Sequence, residues 1–169
     1  MASVLVAYAT KFGSTREVAD AIAASIQERG VKTDVRAARD VKSLEGYDAV
    51  IFGGALYFFR LIREGRRFLR RHRKALAKVP VAVFGIGPTE DTEKYYLEAR
   101  KHLDKSLINN ESVSPVAVAV FGGKFDPSGL KFPYGNAGTR TMPPADLRDW
   151  EAIKAWADSL PEALGLLGS

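Results

Sequence analysis

The stretch VLVAYATKFGSTREVADAIAASIQERG, residues 4–30, decides the fold. Val4–Tyr8 is continuously apolar, without the polar alternation of a half-exposed strand, and so reads as a strand buried on both faces. A short polar turn follows, with Gly13 at its tightest point. Ser14–Arg29 then sets Val18, Ile22 and Ile26 four residues apart, on one face of a helix. Gly30 is placed to stop that helix. Strand, hydroxyl-rich turn and amphipathic helix form the first half of a βαβ unit.

The same grammar recurs outward from this stretch. Ala49–Phe52, Val81–Phe84 and Val116–Phe121 are further continuous apolar runs, and Val31–Ala37 alternates as an edge strand does. Helical patterns fill the intervals. Residues about 62–78 keep Ile62, Leu69 and Leu76 at a seven-residue spacing, and residues about 91–106 carry Tyr96, Leu97 and Leu103 as an apolar side. A last helix is expected from about Leu147 to Leu164, with Asp146 as N-cap, Asp149 in the first turn, and Trp150, Ile153 and Trp156 as its buried face. Alternating strands and helices imply a parallel sheet covered on both faces by right-handed crossovers. Five strands at this length fit the flavodoxin-like, doubly wound α/β arrangement with strand order 2-1-3-4-5. Residues 1–169 are expected to form a single domain. One segment resists the scheme: Gly122–Pro144 holds five Gly and four Pro, and reads as a long loop over about 122–145.

Composition narrows the chemistry. Cysteine is absent and there are two histidines, which excludes disulfides, thiolate metal sites and Cys nucleophiles, and no metal site is expected. The amino-terminal residues lack the charged region of a signal peptide, and no run approaches a membrane span, so a cytoplasmic protein is expected.

In an open parallel sheet, ligands bind beyond the carboxyl ends of the strands. After the first strand come Thr10, Lys11, Phe12, Gly13, Ser14 and Thr15. Hydroxyls and free amides at a helix N-terminus suit a phosphate, and equally suit an ordinary cap in solvent. The spacing of a P-loop is missing, and of a G-x-G-x-x-G fingerprint only Gly13 is present. The third run ends in Gly53-Gly54 rather than Asp, which argues against an aspartyl-phosphate. Gly53 and Gly54 would let a flat ligand approach the backbone, with the aromatics after them stacking on it. The fourth and fifth runs end in Gly85-Ile86-Gly87-Pro88-Thr89 and Gly122-Gly123-Lys124. Together these ends suit one extended ligand with a phosphate at one end and a flat ring at the other.

With these residues in view, AYATKFGSTREVADAIA resembles the phosphate loop and first helix of flavodoxins. YDAVIFGGALYFFRLIREGRRFLRRH, PVAVFGIGP, FGGKFDPSGL and DLRDWEAIKAWAD are similar to the branch that contains menaquinone-dependent protoporphyrinogen dehydrogenase. The resemblance covers nearly the whole chain. It implies non-covalent FMN, with its phosphate at Thr10–Thr15. It implies an isoalloxazine between Ala55, Leu56, Tyr57 and Phe58 on one side and Gly85, Ile86, Gly87, Pro88 and Thr89 on the other, with Gly122, Gly123 and Lys124 nearby. Lys124 would then stabilise reduced, anionic flavin. No residue need act as a dedicated acid or base, because the flavin carries the chemistry. The chain departs from the dehydrogenases in Leu56-Tyr57-Phe58-Phe59 and in its Pro/Gly-rich stretch.

Charge is concentrated in one place. Arg60, Arg63, Arg66, Arg67, Arg70, Arg71, Arg73, Lys74 and Lys78 are opposed only by Glu64, a local net +8 in a chain of +5. The remainder of the chain is therefore −3. His72 is expected at the edge of this helix's apolar stripe. The helix suits an anionic membrane surface, which would make the protein peripheral to a membrane, or an acidic redox partner or anionic substrate. No nucleic-acid recognition motif is present. The resulting expectation is an FMN oxidoreductase passing electrons from a reduced organic substrate, porphyrinogen-like in the resemblance, to a quinone or other acceptor. The alternative is a flavodoxin-type electron carrier. A homo-oligomer is compatible with either.

Overall fold

In a computed structural model the chain is described over residues 2–10, 13–57, 60–87, 92–108, 113–125 and 145–167. The strands are β1 Ser3–Ala9, β2 Lys32–Ala37, β3 Ala49–Tyr57, β4 Arg60–Leu61, β5 Val81–Ile86, β6 Ala117–Phe121, β7 Lys124–Phe125 and β8 Ala145–Asp146. The helices are α1 Ser14–Gln27, α2 Arg63–Arg71, α3 Arg73–Leu76, α4 Glu93–Ile108 and α5 Trp150–Ala163.

The main sheet runs β2-β1-β3-β5-β6, with every pair parallel. Counting parallel strands alone, this is the expected order 2-1-3-4-5. The two-residue β4 is an addition that folds back antiparallel onto the end of β3. Strand pleating sends alternate side chains to opposite faces. Leu5, Ala7, Val50, Phe52 and Val83 pack with Phe68, Leu69, Leu76, Leu103 and Leu107 of α2, α3 and α4. Val4, Val6, Ile51, Ala82 and Phe84 pack with Val18, Ile22 and Ile26 of α1 and with Ile153, Ala157 and Leu160 of α5. Helices therefore cover both faces, and β2 is the half-exposed edge that its alternation predicts.

Several local readings need correction. The third apolar run does not stop at Gly53-Gly54: β3 continues to Tyr57, because both glycines are sites of tight packing within the sheet. A Cβ on Gly53 would stand 2.0 Å from Phe84 Cζ, and one on Gly54 would stand 2.2 Å from a Leu61 methyl. The side expected to admit a ligand is thus filled by the core.

The helix expected over 62–78 is broken at His72, which leaves helical dihedrals at φ −103° and ψ 14°. The apolar spacing survives the break, since Leu69 and Leu76 both stay buried. His72 itself is buried rather than at an edge. Its Nε2–H donates to the Val41 carbonyl at 3.2 Å, and its ring lies 4.8 Å from that of Phe68. Burial, aided by the neighbouring Arg71 charge, pushes the imidazole below its ordinary pKa, against a smaller opposing effect of the Val41 hydrogen bond. The neutral ring is the form the fold accepts. The unfolded chain therefore takes up the proton first, and stability is lost as pH falls through the ordinary histidine range near 6.5. The melting temperature should decline from pH 7 to pH 5, and His72→Gln, which retains an N–H for Val41, should flatten that decline.

At α5 the N-cap is Asp149, whose carboxylate accepts from the Ala152 amide at 3.0 Å. Asp146 does not cap, because it belongs to β8 and is engaged by Arg148. Trp150 is 44% exposed and not part of the buried face, whereas Trp156 packs edge-on against Phe84 and Phe121. The long loop expected over 122–145 is bounded by the β7–β8 pair, and residues 126–144 lie outside the described residues.

Candidate functional site

Sheet register shows which residues share the carboxyl rim. Ala9 pairs with Gly54, Gly54 with Gly85, Ala55 with Ile86, and Ile86 with Phe121. Thr10, Ala55, Gly87 and Gly122 therefore come to one edge, at the ends of four adjacent strands. β2, the strand with no expected site residue, lies at the sheet's outer edge.

The turn between β1 and α1 is the best-defined part of this edge. Gly13 is the N-cap of α1 in the left-handed region, at φ 91° and ψ −15°, a backbone conformation that strongly favours glycine. Its amide donates to Thr10 Oγ1 at 3.0 Å, which ties the turn across its base. No side chain caps α1, so no capping oxygen competes for its first-turn amides. Among the described residues a Cβ on Gly13 would meet nothing within 4 Å. Thr15 is wholly buried, yet among the described residues its Oγ1 has no hydrogen-bond partner. A buried hydroxyl without a partner costs about 1–3 kcal/mol. An anion seated at these amides would use the same arrangement of donors. Lys11 and Phe12, expected in this loop, lie outside the described residues.

The opposite wall differs from its sequence reading. Ala55, Leu56 and Tyr57 are strand residues, the last of β3, with Leu56 opposite Leu61 and Tyr57 opposite Arg60. Leu56 is buried, and its side chain reaches the positions a Cβ would take on Gly85 and Gly87. It packs within the core. Tyr57 is half-buried at the rim. Phe58, Pro88 and Thr89 lie outside the described residues. Gly85 and Ile86 belong to β5, and Gly87 follows it with its amide bonded to the Phe121 carbonyl at 3.2 Å.

Gly122 is needed for a close approach: a Cβ there would stand 2.3 Å from the Leu147 carbonyl and 2.8 Å from the Tyr96 hydroxyl. Gly123 accepts from the Leu147 amide at 2.9 Å. Lys124 is exposed in β7 and stands opposite Asp146 in β8, so its charge has a carboxylate counterpart in this chain.

A group that the sequence did not reveal joins this edge. The Arg148 side chain is only 7% exposed. It grips Asp146 with two nitrogens, Nε at 2.9 Å and Nη2 at 2.8 Å, and its Nη1 donates to Glu17 in the first turn of α1. Its guanidinium also lies over the Trp150 ring, 5.0 Å from the centroid. The Arg148 hydrogen bonds, helped by its charge and that of Lys124, hold the Asp146 carboxyl down to about 2 despite partial burial.

Comparisons with known proteins identify the family of this fold. A family model described as "Flavodoxin domain" matches residues 5–133, which is most of the chain. The chain belongs to the flavodoxin-domain family. It is 24% identical over 110 residues to a protein of Escherichia coli named protoporphyrinogen IX dehydrogenase (quinone), covering 63% of this chain and 61% of that protein. The match therefore spans about three fifths of that relative's length. A Leishmania major protein of the same name is 25% identical over 166 residues, covering 90% of this chain and 72% of that protein. Among solved structures, a short-chain flavodoxin associated with a non-canonical PDU bacterial microcompartment superposes with a TM-score of 0.61 at 19% identity and full coverage of both chains.

A flavodoxin domain makes FMN the cofactor to test against the residues present, and the phosphate end fits. Among the described residues, the uncapped first-turn amides of α1 and the Thr15 hydroxyl are donors without an acceptor of their own. Among the described residues no group of three or more His, Asp or Glu side chains could hold a metal ion. No helix among them is long and apolar enough to cross a membrane.

Proposed function

We propose that the chain is an FMN-dependent oxidoreductase that takes electrons from a reduced organic substrate, porphyrinogen-like by analogy with its named relatives, and passes them to a quinone. The Thr15 hydroxyl, buried in the first turn of α1 and without a partner among the described residues, carries the FMN reading. FMN, when bound, supplies the acceptor and donor of electrons. The protein's part is to hold and shield it. Thr10 braces the turn, Gly13 aims the amides of Ser14 and Thr15 at the phosphate, and the Thr15 hydroxyl completes the cradle. The ends of β3 and β5, with Gly122, Gly123 and Lys124, flank the ring. Leu56 supports that wall from behind by filling the space over Gly85 and Gly87. Lys11, Phe12, Phe58, Pro88 and Thr89 remain in the proposal on the strength of the resemblance.

The test is titration of cofactor-free protein with FMN, followed by anaerobic reduction with a panel of donors and reoxidation with quinones or one-electron acceptors. Absence of FMN binding sinks the reading. Binding without turnover of any two-electron donor favours the electron-carrier alternative.

The basic segment over residues 60–78 suggests where the acceptor is met. All nine cations lie in residues 60–78, and all but the partly covered Arg66 are exposed. Partial burial, with Arg60, Arg70 and Arg63 nearby, lowers the basicity of Arg66. The opposing Glu64 is already shared with Arg39, at 3.9 Å. The exposed face carries no apolar anchor of the sort that centres a stable protein interface. A surface read by charge alone, such as an anionic membrane holding a lipid-soluble quinone, fits better than an acidic redox protein. Each Lys or Arg near such a surface contributes about 1 kcal/mol. Arg63→Glu/Arg67→Glu/Arg70→Glu should therefore weaken partition onto phosphatidylglycerol vesicles by about a hundredfold or more, with FMN affinity unchanged. Equal partition of variant and wild type, measured by co-sedimentation, would mark the face as merely solvated.

A further inference from the structure

Among the described residues near the rim, Arg148, Asp146 and Glu17 form a charged cluster that the proposed function does not use, and Lys124 adjoins it. Together they run as a chain of alternating charge, Lys124–Asp146–Arg148–Glu17, contributed by β7, β8, the residues before α5, and α1. Arg148 is its buried member, while Asp146 and Glu17 are about half exposed, at 45% and 57%. A guanidinium so deeply covered needs partners on both sides, and its planar fork meets the Asp146 carboxylate with two nitrogens.

Glu17 is the informative end. It occupies the first turn of α1, where its amide closes onto the Gly13 carbonyl at 3.3 Å. A carboxylate in that turn interacts well with the helix dipole, but it opposes any second anion brought to the same amides. The helix alone would not argue for an anion there. The fully buried Thr15 hydroxyl in the same turn, without a partner among the described residues, is the independent sign of a missing acceptor. The fold thus places a negative side chain beside the site proposed for a phosphate, and then binds that side chain to a buried arginine from the far end of the chain.

We propose that Arg148 is a positioning residue for the phosphate site: by holding the Glu17 carboxylate it offsets that charge and keeps the α1 N-terminus receptive to the FMN phosphate. This rests on the FMN reading above. Arg148 needs no contact with the cofactor. Its effect passes through Glu17, and through the β7–β8 pair that Asp146 and the Leu147–Gly123 hydrogen bond fix to the rim.

The experiment compares FMN with riboflavin, which lacks the phosphate, in equilibrium titrations of cofactor-free protein followed by flavin fluorescence. Arg148→Gln should weaken FMN about tenfold, with riboflavin affinity unchanged. Removing the opposing charge as well, in Glu17→Gln/Arg148→Gln, should restore FMN to near the wild-type value. Glu17→Gln alone should bind FMN at least as well as wild type. Equal losses for FMN and riboflavin in Arg148→Gln would assign Arg148 a structural role and overturn the proposal, as would an undiminished FMN affinity or a double variant no better than the single. Should Arg148→Gln fail to fold, the double variant and Arg148→Lys, which keeps the charge but loses the fork, carry the comparison. Wild-type protein that binds no FMN removes the FMN reading itself, an outcome distinct from failure of the Arg148 variants alone.

Discussion

Gly13→Val should abolish FMN binding while leaving the protein folded. The residue sits at φ 91°, where a β-branched side chain is strained by about 1–3 kcal/mol, yet no described residue stands within 4 Å of where a Cβ would lie. The substitution therefore meets no steric block in the core. The backbone relieves its strain by rotating out of the left-handed region, which turns the following amides away from the direction they share. Each hydrogen bond to a charged acceptor contributes about 1.5–3 kcal/mol, so misdirecting two weakens a phosphate by about a hundredfold or more. The Gly13–Thr10 hydrogen bond is lost in the same movement. Titration with FMN and a thermal melt of the cofactor-free protein separate the two effects. Retained FMN affinity would mean that the turn is only a cap in solvent, whereas a collapsed melt would mean that it is a structural joint.

The contrast between this turn and the rest of the rim explains what the sequence could reveal. The β1–α1 turn is local: six consecutive residues carry its hydroxyls, its glycine and its helix start, and they can be read together. The strand positions were equally legible, because continuous apolar runs and the alternation of residues 31–37 follow from burial on two faces or one. The strand lengths were not. Gly53-Gly54 and Gly85 look like turn residues, since glycine weakens a strand unless something needs the space. What needs it is Phe84, Leu61 and Leu56, from neighbouring strands, and only the register brings them there.

The sequence points to Asp146 as the cap, with Asp149 in the first turn, but the cap is Asp149, three residues on. The choice between them was made by Arg148, and Arg148 is held by Glu17, 131 residues away. No periodicity reports a pair at that separation. A faint signal existed in Asp146-Leu147-Arg148, two opposite charges in register at the end of a Pro-rich stretch, but the same triplet on an exposed loop would mean nothing. His72 was similarly opaque: its spacing placed it beside the apolar stripe, and only the Val41 carbonyl, 31 residues back, explains why a polar ring is buried there.

Gly53→Ala tests the other half of that contrast, because it should cost stability without acting on the ligand directly. The added Cβ would stand 2.0, 2.3 and 2.4 Å from three atoms of the Phe84 ring. Phe84 is fully buried, and its ring is braced by Trp156 at 6.0 Å and Phe121 at 6.5 Å, so it has no free direction in which to move. Overpacking of a well-filled core costs about 1–3 kcal/mol and sometimes more, and a clash with a locked aromatic ring belongs at the upper end. At this chain length about 3 kcal/mol lowers the melting temperature by about 10 °C. Phe84→Leu in the same protein removes the offending ring atoms and should recover part of the loss, although alone it creates a cavity. The double variant should thus be more stable than Gly53→Ala, a coupling that appears only when two residues compete for one space. If Gly53→Ala melts like wild type but binds FMN poorly, the glycine serves the ligand after all, and the strand extension through Gly53-Gly54 is not what fixes that residue. If it melts low and its residual folded fraction still binds FMN normally, the glycine belongs to the scaffold, and the ligand edge begins beyond it, at Ala55.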